Sequence, residues 1–445
     1  MLRDAVRAIS RRAAPAAPGS VGELVFSGPL PPARTGIASY DRAVLDGLRR
    51  IGFFERHRMD VLWPIQPKDA PRMPGYRLGV FELGNNVEFH LEAYRAVFLA
   101  QASLIVLHDL ALDDFVRGLR TLGDPLGFMA TREAAASRGR LRSADIVRNE
   151  PLREPWCAHV ARRARGIVVH AEFGKRYLEE FGCRTPVFVV PHPVVGSGAD
   201  VAAAAARGRE IRAAVEANGA RFLVVAPGDL NQAKRLDAVV ASARELDDDV
   251  HIALVGRRIE GYDIDRVVET AGLGGRVTRV PDVSDDDFLG WLAAADVVVD
   301  LRFPHRGEVS GSLIRAMQAG TPSIVSATGT YLDVPDAAVL RVQPGPTDPS
   351  ELAARIRTLL ADPDLLARMG AAARAYTDVI RSSEATAKGY ERAIEETLTL
   401  VRDPAHKALA IWGKALADLG ADEADLRAGL GVDYARALSV FRGTS

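Results

Sequence analysis

Val297-Val298-Val299-Asp300-Leu301, then Gly307-Glu308-Val309-Ser310-Gly311-Ser312-Leu313-Ile314-Arg315-Ala316-Met317-Gln318-Ala319-Gly320-Thr321-Pro322, then Ser323-Ile324-Val325-Ser326 is the stretch that decides the fold. The first and last segments are short apolar runs of the kind buried on both faces of a sheet. The middle segment reads as a loop and a helix beginning near Ser310 or Gly311. A strand, a helix and a second strand in this order form a unit of a parallel sheet.

The same alternation extends in both directions. Towards the C-terminus, Val339–Val342 is a further strand. Towards the N-terminus come Val277–Val280, His251–Val255 and Phe222–Ala226, and beyond them a separate set: Val187–Val190, Gly166–His170, Leu104–His108, Leu78–Phe81, Met59–Trp63 and Glu23–Ser27. Two sets argue for an α/β protein of two doubly wound domains. Pro191-His192-Pro193 ends the first set. Val194–Arg209 carries no strand signal and is either a linker or the start of a helix entering the second domain. Asp348-Pro349 and Asp362-Pro363 each offer an N-cap followed by a proline at the first helical position. Ala387, Tyr390, Ile394 and Leu398 line one face of a later helix. That helix is expected to cross back and cover the first domain. Asp403 to Ser445 reads as short helices around Trp412, Leu416, Leu426 and Tyr434.

Composition agrees with this reading and excludes others. A chain of 445 residues is too long for one ordinary core. With 48% hydrophobic and 26% charged residues it has the profile of a soluble globular protein. A formal charge of −1 gives no whole-chain attraction to nucleic acid. Cys157 and Cys183 are too few for a disulfide framework and read as buried thiols of a reducing cytoplasm. No apolar run approaches the roughly 20 residues that span a bilayer. Residues 1–20 carry Arg3, Arg7, Arg11 and Arg12 without an apolar core, so no secretory signal is expected. Leu2, Val6 and Ile9 make the segment either a frayed tail or a basic amphipathic contact with anionic lipid.

Several segments, in order, resemble the family-4 retaining glycosyltransferases of GT-B fold. They are the loop Phe26 to Tyr40 containing Thr35-Gly36, Leu83-Gly84-Asn85-Asn86 with Phe89-His90, Val106-Leu107-His108-Asp109, Val168-Val169-His170 and Val190-Pro191-His192-Pro193. The second half adds Gly228-Asp229-Leu230-Asn231-Gln232-Ala233-Lys234-Arg235, Leu254-Val255-Gly256 and Gly307 to Pro322. The resemblance implies two Rossmann-like domains facing a cleft. Residues 1–20 are then a tail and 21–194 the acceptor-side domain. Residues 195–209 form the linker, 210–380 the donor-side domain, 381–402 a crossover helix and 403–445 a helical extension.

The resemblance also assigns roles. Lys234, assisted by Arg235, contacts the donor diphosphate. Read alone, Lys234 is a solvated charge at a helix start, so its loss should cost little stability. Glu308 binds sugar hydroxyls, and the backbone of Val309, Ser310 and Gly311 faces sugar and phosphates at the positive end of a helix. Thr35 and Gly36 approach the phosphates from the opposite domain. His108 lies near the transferred sugar and Asp109 orients it or meets the acceptor, with Asn85, Asn86 and His90 as further acceptor-side candidates. Pro281, Asp282 and Val283 hold the nucleobase or form a plain turn. Catalysis falls to His108, Glu308 and Lys234. Asp285-Asp286-Asp287 reads as a helix start rather than a metal site, and no metal or other cofactor is expected.

Two positions depart from the family pattern. Asp229 stands where an arginine is usual, and Arg235 or Arg257 could take over its phosphate contact. Arg315 stands where a glutamate holds the ribose; it pairs with Glu308, binds phosphate or is structural. The implied reaction moves a hexosyl unit from a UDP- or GDP-sugar to a hydroxyl of a carbohydrate or lipid-linked acceptor, with retention, as in bacterial surface polysaccharide or glycolipid synthesis. The implied location is the cytoplasm or the inner face of the membrane. The alternatives are a non-catalytic nucleotide-sugar-binding or assembly protein and a sugar-nucleotide epimerase. Sugar, base, acceptor and oligomeric state are not encoded legibly.

Overall fold

The computed structural model describes residues 23–401, apart from 34, 195–197 and 346–347. The expectations for residues 1–20 and 403–445 lie outside the described residues. The first sheet contains β1 Leu24–Ser27, β2 Met59–Val61, β3 Leu78–Leu83, β4 Ser103–Leu107, β5 Gly166–Val169 and β6 Val187–Val189. The second contains β7 Phe222–Pro227, β8 Val250–Gly256, β9 Val277–Pro281, β10 Val297–Asp300, β11 Ser323–Ser326 and β12 Val339–Val342. Their orders are β2-β1-β3-β4-β5-β6 and β12-β11-β10-β7-β8-β9. All pairings are parallel. Each run expected from the sequence is present, with ends that agree to within two residues.

Parallel strands connected by helices bury both faces, which is why the runs are continuously apolar. In β7, Val224 packs with Leu236, Leu352 and Ile356 on one face. Its neighbour Val225 packs with Ile211, Val215 and Leu292 on the other. In the first sheet, Phe81, Ile105 and Ile167 join Tyr94, Phe115 and Tyr177 in one core. Each such aliphatic or aromatic side chain contributes about 1.5–3 kcal/mol by leaving water. No helix among the described residues is long and apolar enough to cross a membrane.

The strand order reverses between β1 and β3 and again between β7 and β10. Crevices open at such points beyond the carboxyl ends of the strands. The loops after β1, β3, β4, β7 and β10 carry most of the residues singled out above.

The helix Gly198–Ala217 occupies the stretch left open as linker or helix. A second connection returns the chain to the first sheet, where the helix Ser383–Leu400 starts. The two connecting segments touch. Val194 N–H donates to the Arg381 carbonyl at 2.8 Å, and Arg381 Nη1 donates to the His192 carbonyl at 3.1 Å. Thr386 Oγ1 donates to the Pro191 carbonyl at 3.0 Å. Gly389 lies so close to Val190 that a Cβ would stand 2.8 Å from its Cγ1. Ala387, Tyr390 and Ile394 are buried there, because an apolar helical stripe must cover a surface.

Candidate active site

The half of the site in the second sheet is built from the ends of β7 and β10. Gly228 adopts φ +103°, and a Cβ there would lie 2.7 Å from Ser312 Oγ and 3.1 Å from Lys234 Nζ. Glycine thus lets the β7 loop approach the helix Gly311–Ala319. Asn231 closes the turn by accepting the Lys234 N–H at 3.2 Å. Lys234 is not the solvated charge its position suggests: it is 6% exposed. Its ammonium is paired with Asp300, the last residue of β10. Asp300 also accepts Ser310 Oγ–H at 2.5 Å and Tyr331 O–H at 2.9 Å. Burial lowers the Lys234 pKa, with Asp300 acting against that shift. Burial pushes Asp300 upward, but Lys234 and Arg302 outweigh it and hold the carboxyl below its ordinary range. The low-cost loss expected for Lys234 is therefore corrected, because removing one partner strands a buried charge.

Glu308 pairs with Arg302 and accepts the Arg306 N–H at 2.6 Å. Burial opposes its ionisation, yet Arg302 keeps its pKa low. Ser310 caps the helix by accepting Leu313 N–H at 3.3 Å, and Gly311 opens it with free space where a side chain would stand. Val309, before the cap, is partly exposed. Arg315 does not pair with Glu308. It reaches Asp285 at 3.1 Å and lies over the Phe288 ring, since it sits a full turn along the helix. Asp285, Asp286 and Asp287 form the first turn of the helix Asp285–Ala294. Arg235 reaches the Gly345 carbonyl at 2.5 Å and Asp237 at 3.0 Å. Arg257 pairs with Asp229 at 2.8 Å. Asp282 has φ 53° and donates its N–H to the Gly256 carbonyl at 3.1 Å. This bends the Pro281 to Val283 segment at the end of β9.

The half of the site in the first sheet lies beyond β1, β3 and β4. Thr35 caps the helix Gly36–Arg50 by accepting Ile37 N–H at 3.4 Å, and Gly36 faces open space. His108 follows β4, is buried, and meets Glu82 through Nε2 at 2.8 Å. Burial lowers its pKa to about 3, so the ring is neutral. Asp109 accepts the Asn85 N–H at 2.9 Å. The Asn85 side chain donates to Asp113 at 3.0 Å and accepts Phe115 N–H at 3.0 Å. Asn86 is the N-cap of the helix Val87–Leu99. His90 is buried, with Nδ1 3.0 Å from the Glu82 carbonyl.

The two halves meet. Leu110 N–H and Ala111 N–H both donate to the Arg306 carbonyl, at 2.9 and 3.0 Å. The Arg306 guanidinium reaches Asp113 at 2.9 Å. Gly307 lies against Leu110, where a Cβ would be 2.5 Å from Cδ1. Asn149 accepts His305 N–H at 3.2 Å and donates to Thr328 at 3.3 Å. Burial and the facing Glu308 charge raise the Asp109 carboxyl to about 7. Asp109, Glu308, Arg302 and Arg306 therefore share one neighbourhood, with His108 next to Asp109 in the chain and Lys234 linked through Asp300.

Sequence reading missed Asp300, Arg302, Arg306, Asp113 and Glu82. An acid ending a buried apolar strand, as at Asp300, is the one local signal that could have exposed a member of this set. Arg306 and Asp113 are 193 positions apart and meet only in the fold.

Residues 208–376 match the model of the family described as Glycosyl transferases group 1. No curated protein sequence matches the chain. Among solved structures, Anabaena HepE in complex with UDP and glucose aligns with a TM-score of 0.60, at 15% identity, over 84% of this chain and 100% of that one. Sucrose-phosphate synthase from Thermosynechococcus elongatus aligns with a TM-score of 0.59, at 17% identity, over 85% and 99%. WaaG, a glycosyltransferase involved in lipopolysaccharide biosynthesis, gives 0.52 at 15% identity over 83% and 99%. The fold shared across these structures is GT-B, and within it residues 208–376 carry the pattern of the glycosyl transferases group 1 family.

Proposed function

We propose that the chain is a retaining hexosyltransferase of the family-4 type, using a UDP- or GDP-sugar and an acceptor hydroxyl. The observation that carries this reading is the meeting of the His108-Asp109 segment with the Arg306–Glu308 segment at the ends of two opposed sheets. A sugar held between them has a neutral imidazole on one side and a carboxylate on the other. Its diphosphate extends to Lys234, Arg302 and the start of the helix Gly311–Ala319, where positive charge offsets the charge growing on the leaving group. Thr35 and Gly36 close on the phosphates from the other sheet. The Pro281 to Val283 bend receives the base.

In the proposed reaction the acceptor oxygen bonds to the anomeric carbon on the face from which the phosphate leaves. The carbon–phosphate-oxygen bond breaks, and the acceptor proton passes to the departing phosphate oxygen. The chain supplies orientation and charge, with Lys234 and Arg302 as the cations nearest the departing diphosphate. Asp109, with its raised pKa, lies in reach of the acceptor side. The enzyme works in the cytoplasm or at the inner membrane face, building a surface polysaccharide or glycolipid.

A panel of UDP- and GDP-sugars in a thermal-shift assay identifies the donor. Proton NMR of the product then reads the anomeric configuration. Inversion would overturn the retaining assignment, and no stabilisation by any sugar nucleotide would overturn the donor assignment. Tight binding without transfer to any hydroxyl would favour a non-catalytic binder, a reading to which Asp229 and Arg315 lend weight.

A further inference from the structure

Behind His108 lies a buried polar group that the reaction above does not use. Glu82 of β3 is wholly buried. One carboxyl oxygen meets His108 Nε2 at 2.8 Å; the other accepts the Tyr390 hydroxyl at 2.9 Å. Tyr40 and Tyr390 hydroxyls are 2.7 Å apart. Since Tyr390 spends its proton on Glu82, Tyr40 donates to Tyr390. Tyr390 comes from the helix that returns to the first sheet, 308 positions from Glu82. Three distant parts of the chain are thus chained by hydrogen bonds to the carboxyl that meets one imidazole nitrogen.

We propose that Glu82 is a positioning residue that, held by Tyr390, decides which ring nitrogen of His108 carries the proton. The argument is one of donors and acceptors. An ionised Glu82 can only accept, so His108 must be protonated on Nε2, leaving Nδ1 bare as an acceptor for a ligand. A protonated Glu82 can donate to Nε2, which places the His108 proton on Nδ1 and makes that nitrogen a donor. The device rests on the proposed role of His108 for its meaning, but not for its existence.

The surroundings favour a carboxyl that titrates late. Asp41, from the helix Gly36–Arg50, is buried beside it with no hydrogen bond to either oxygen. A Cβ on Gly28 would touch both Asp41 and Glu82. His90 faces the Glu82 carbonyl. Beyond His108 lie the His170 ring at 4.9 Å and Tyr40 at 4.7 Å, with His192 on the far side of Tyr40. Burial keeps all four histidines neutral. Arg381 is the cation felt here, acting on His170 and His192. Burial pushes Glu82 up to about 8, with Tyr390 acting against the shift. Asp41 is raised as well, by burial and then by Glu82.

The test is nitrogen-15 NMR of the histidine rings in the full chain, from about pH 6 to about pH 10. His108 is assigned by its loss in His108→Asn. In wild type the protonated nitrogen should move from Nδ1 to Nε2 as pH rises. Glu82→Gln should abolish that exchange. Tyr390→Phe removes a donor that favours the carboxylate, so its midpoint should move to higher pH. A single tautomer throughout in wild type, or an unchanged exchange in Glu82→Gln, would overturn the proposal. Should Glu82→Gln fail the circular dichroism control, an unmoved midpoint in Tyr390→Phe does so instead. Transfer assays on His108→Asn address the role of His108 separately. Full activity there would remove the histidine from catalysis while leaving the tautomer result standing.

Discussion

At the end of β10, the buried pair Lys234–Asp300 and the partly exposed pair Arg302–Glu308 hold charges of both signs. Around the ends of β3 and β4, Glu82, His108 and Asp41 of the helix Gly36–Arg50 are buried, and burial favours their neutral forms. Both sets lie at strand ends of the same fold class, so topology does not account for the contrast. The difference is the presence of cations. Two ion pairs keep the groups at the end of β10 ionised, whereas no lysine or arginine hydrogen-bonds Glu82 or Asp41 among the described residues. Under the proposed function, the side that meets the diphosphate needs charge already in place, and the side that meets hydroxyls is better served by neutral donors and acceptors.

The contrast breaks most visibly at Lys234. Lys234→Met strands Asp300 and should cost about 3–5 kcal/mol of stability in urea denaturation. Combining it with Asp300→Leu should recover part of that loss, since replacing a whole buried pair costs less than halving it. Under the proposed function, nucleoside diphosphate affinity should fall about tenfold or more in calorimetric titration of the single variant. Unchanged stability would show that Lys234 is not committed to Asp300.

Glu308→Ala is the next largest effect. It frees Arg302 and, under the proposed function, removes the acceptor facing the sugar. Transfer should fall by about a hundredfold or more in kcat, within the range for losing one preorganised group. Near-normal turnover by a folded variant would remove Glu308 from the site.

The neutral side is probed by pH. Glu82 holds a proton when folded that it releases above about pH 4 when unfolded. Between that pH and its raised folded value, the native state binds more protons, so stability falls as pH rises. Each such proton contributes a slope of about 1.4 kcal/mol per pH unit. Chemical denaturation across this window should show a shallower slope for Glu82→Gln than for wild type. An identical slope would place Glu82 among ionised carboxylates.

The smallest effect is expected where the halves touch in partial exposure. Asp113→Ala removes a partly exposed pair with Arg306, and should change stability by about 1 kcal/mol. Its larger signature should be a raised KM, measured at fixed donor, as the two loops lose register. A KM equal to wild type would show that the backbone bonds from Leu110 and Ala111 suffice.

These tests also show what sequence could supply. The strands were legible because burial on both faces leaves runs such as Val297 to Val299 and Leu223 to Val225 without polar interruption. The loops at their ends were legible through spacing: His108 directly after a strand, Glu308 before a helix. Partnerships were not. Nothing local to Lys234 announces that Asp300, 66 positions away, neutralises it. Nothing around Tyr390 announces a hydrogen bond to Glu82. Such pairs depend on sheet order and on which helix returns where, which single-sequence periodicity does not encode.

The two segments joining the sheets are bonded to each other, through Val194 with Arg381 and Arg381 with His192. A single tether would let one sheet twist, slide or tilt against the other. Two tethers fastened side by side behave as the pin of a door. Tilting about the line through them needs only small dihedral changes in each. Twisting would stretch one tether while slackening the other. Were the two sheets to part, this bonded pair of segments would confine the loops bearing His108 and Glu308 to a single arc.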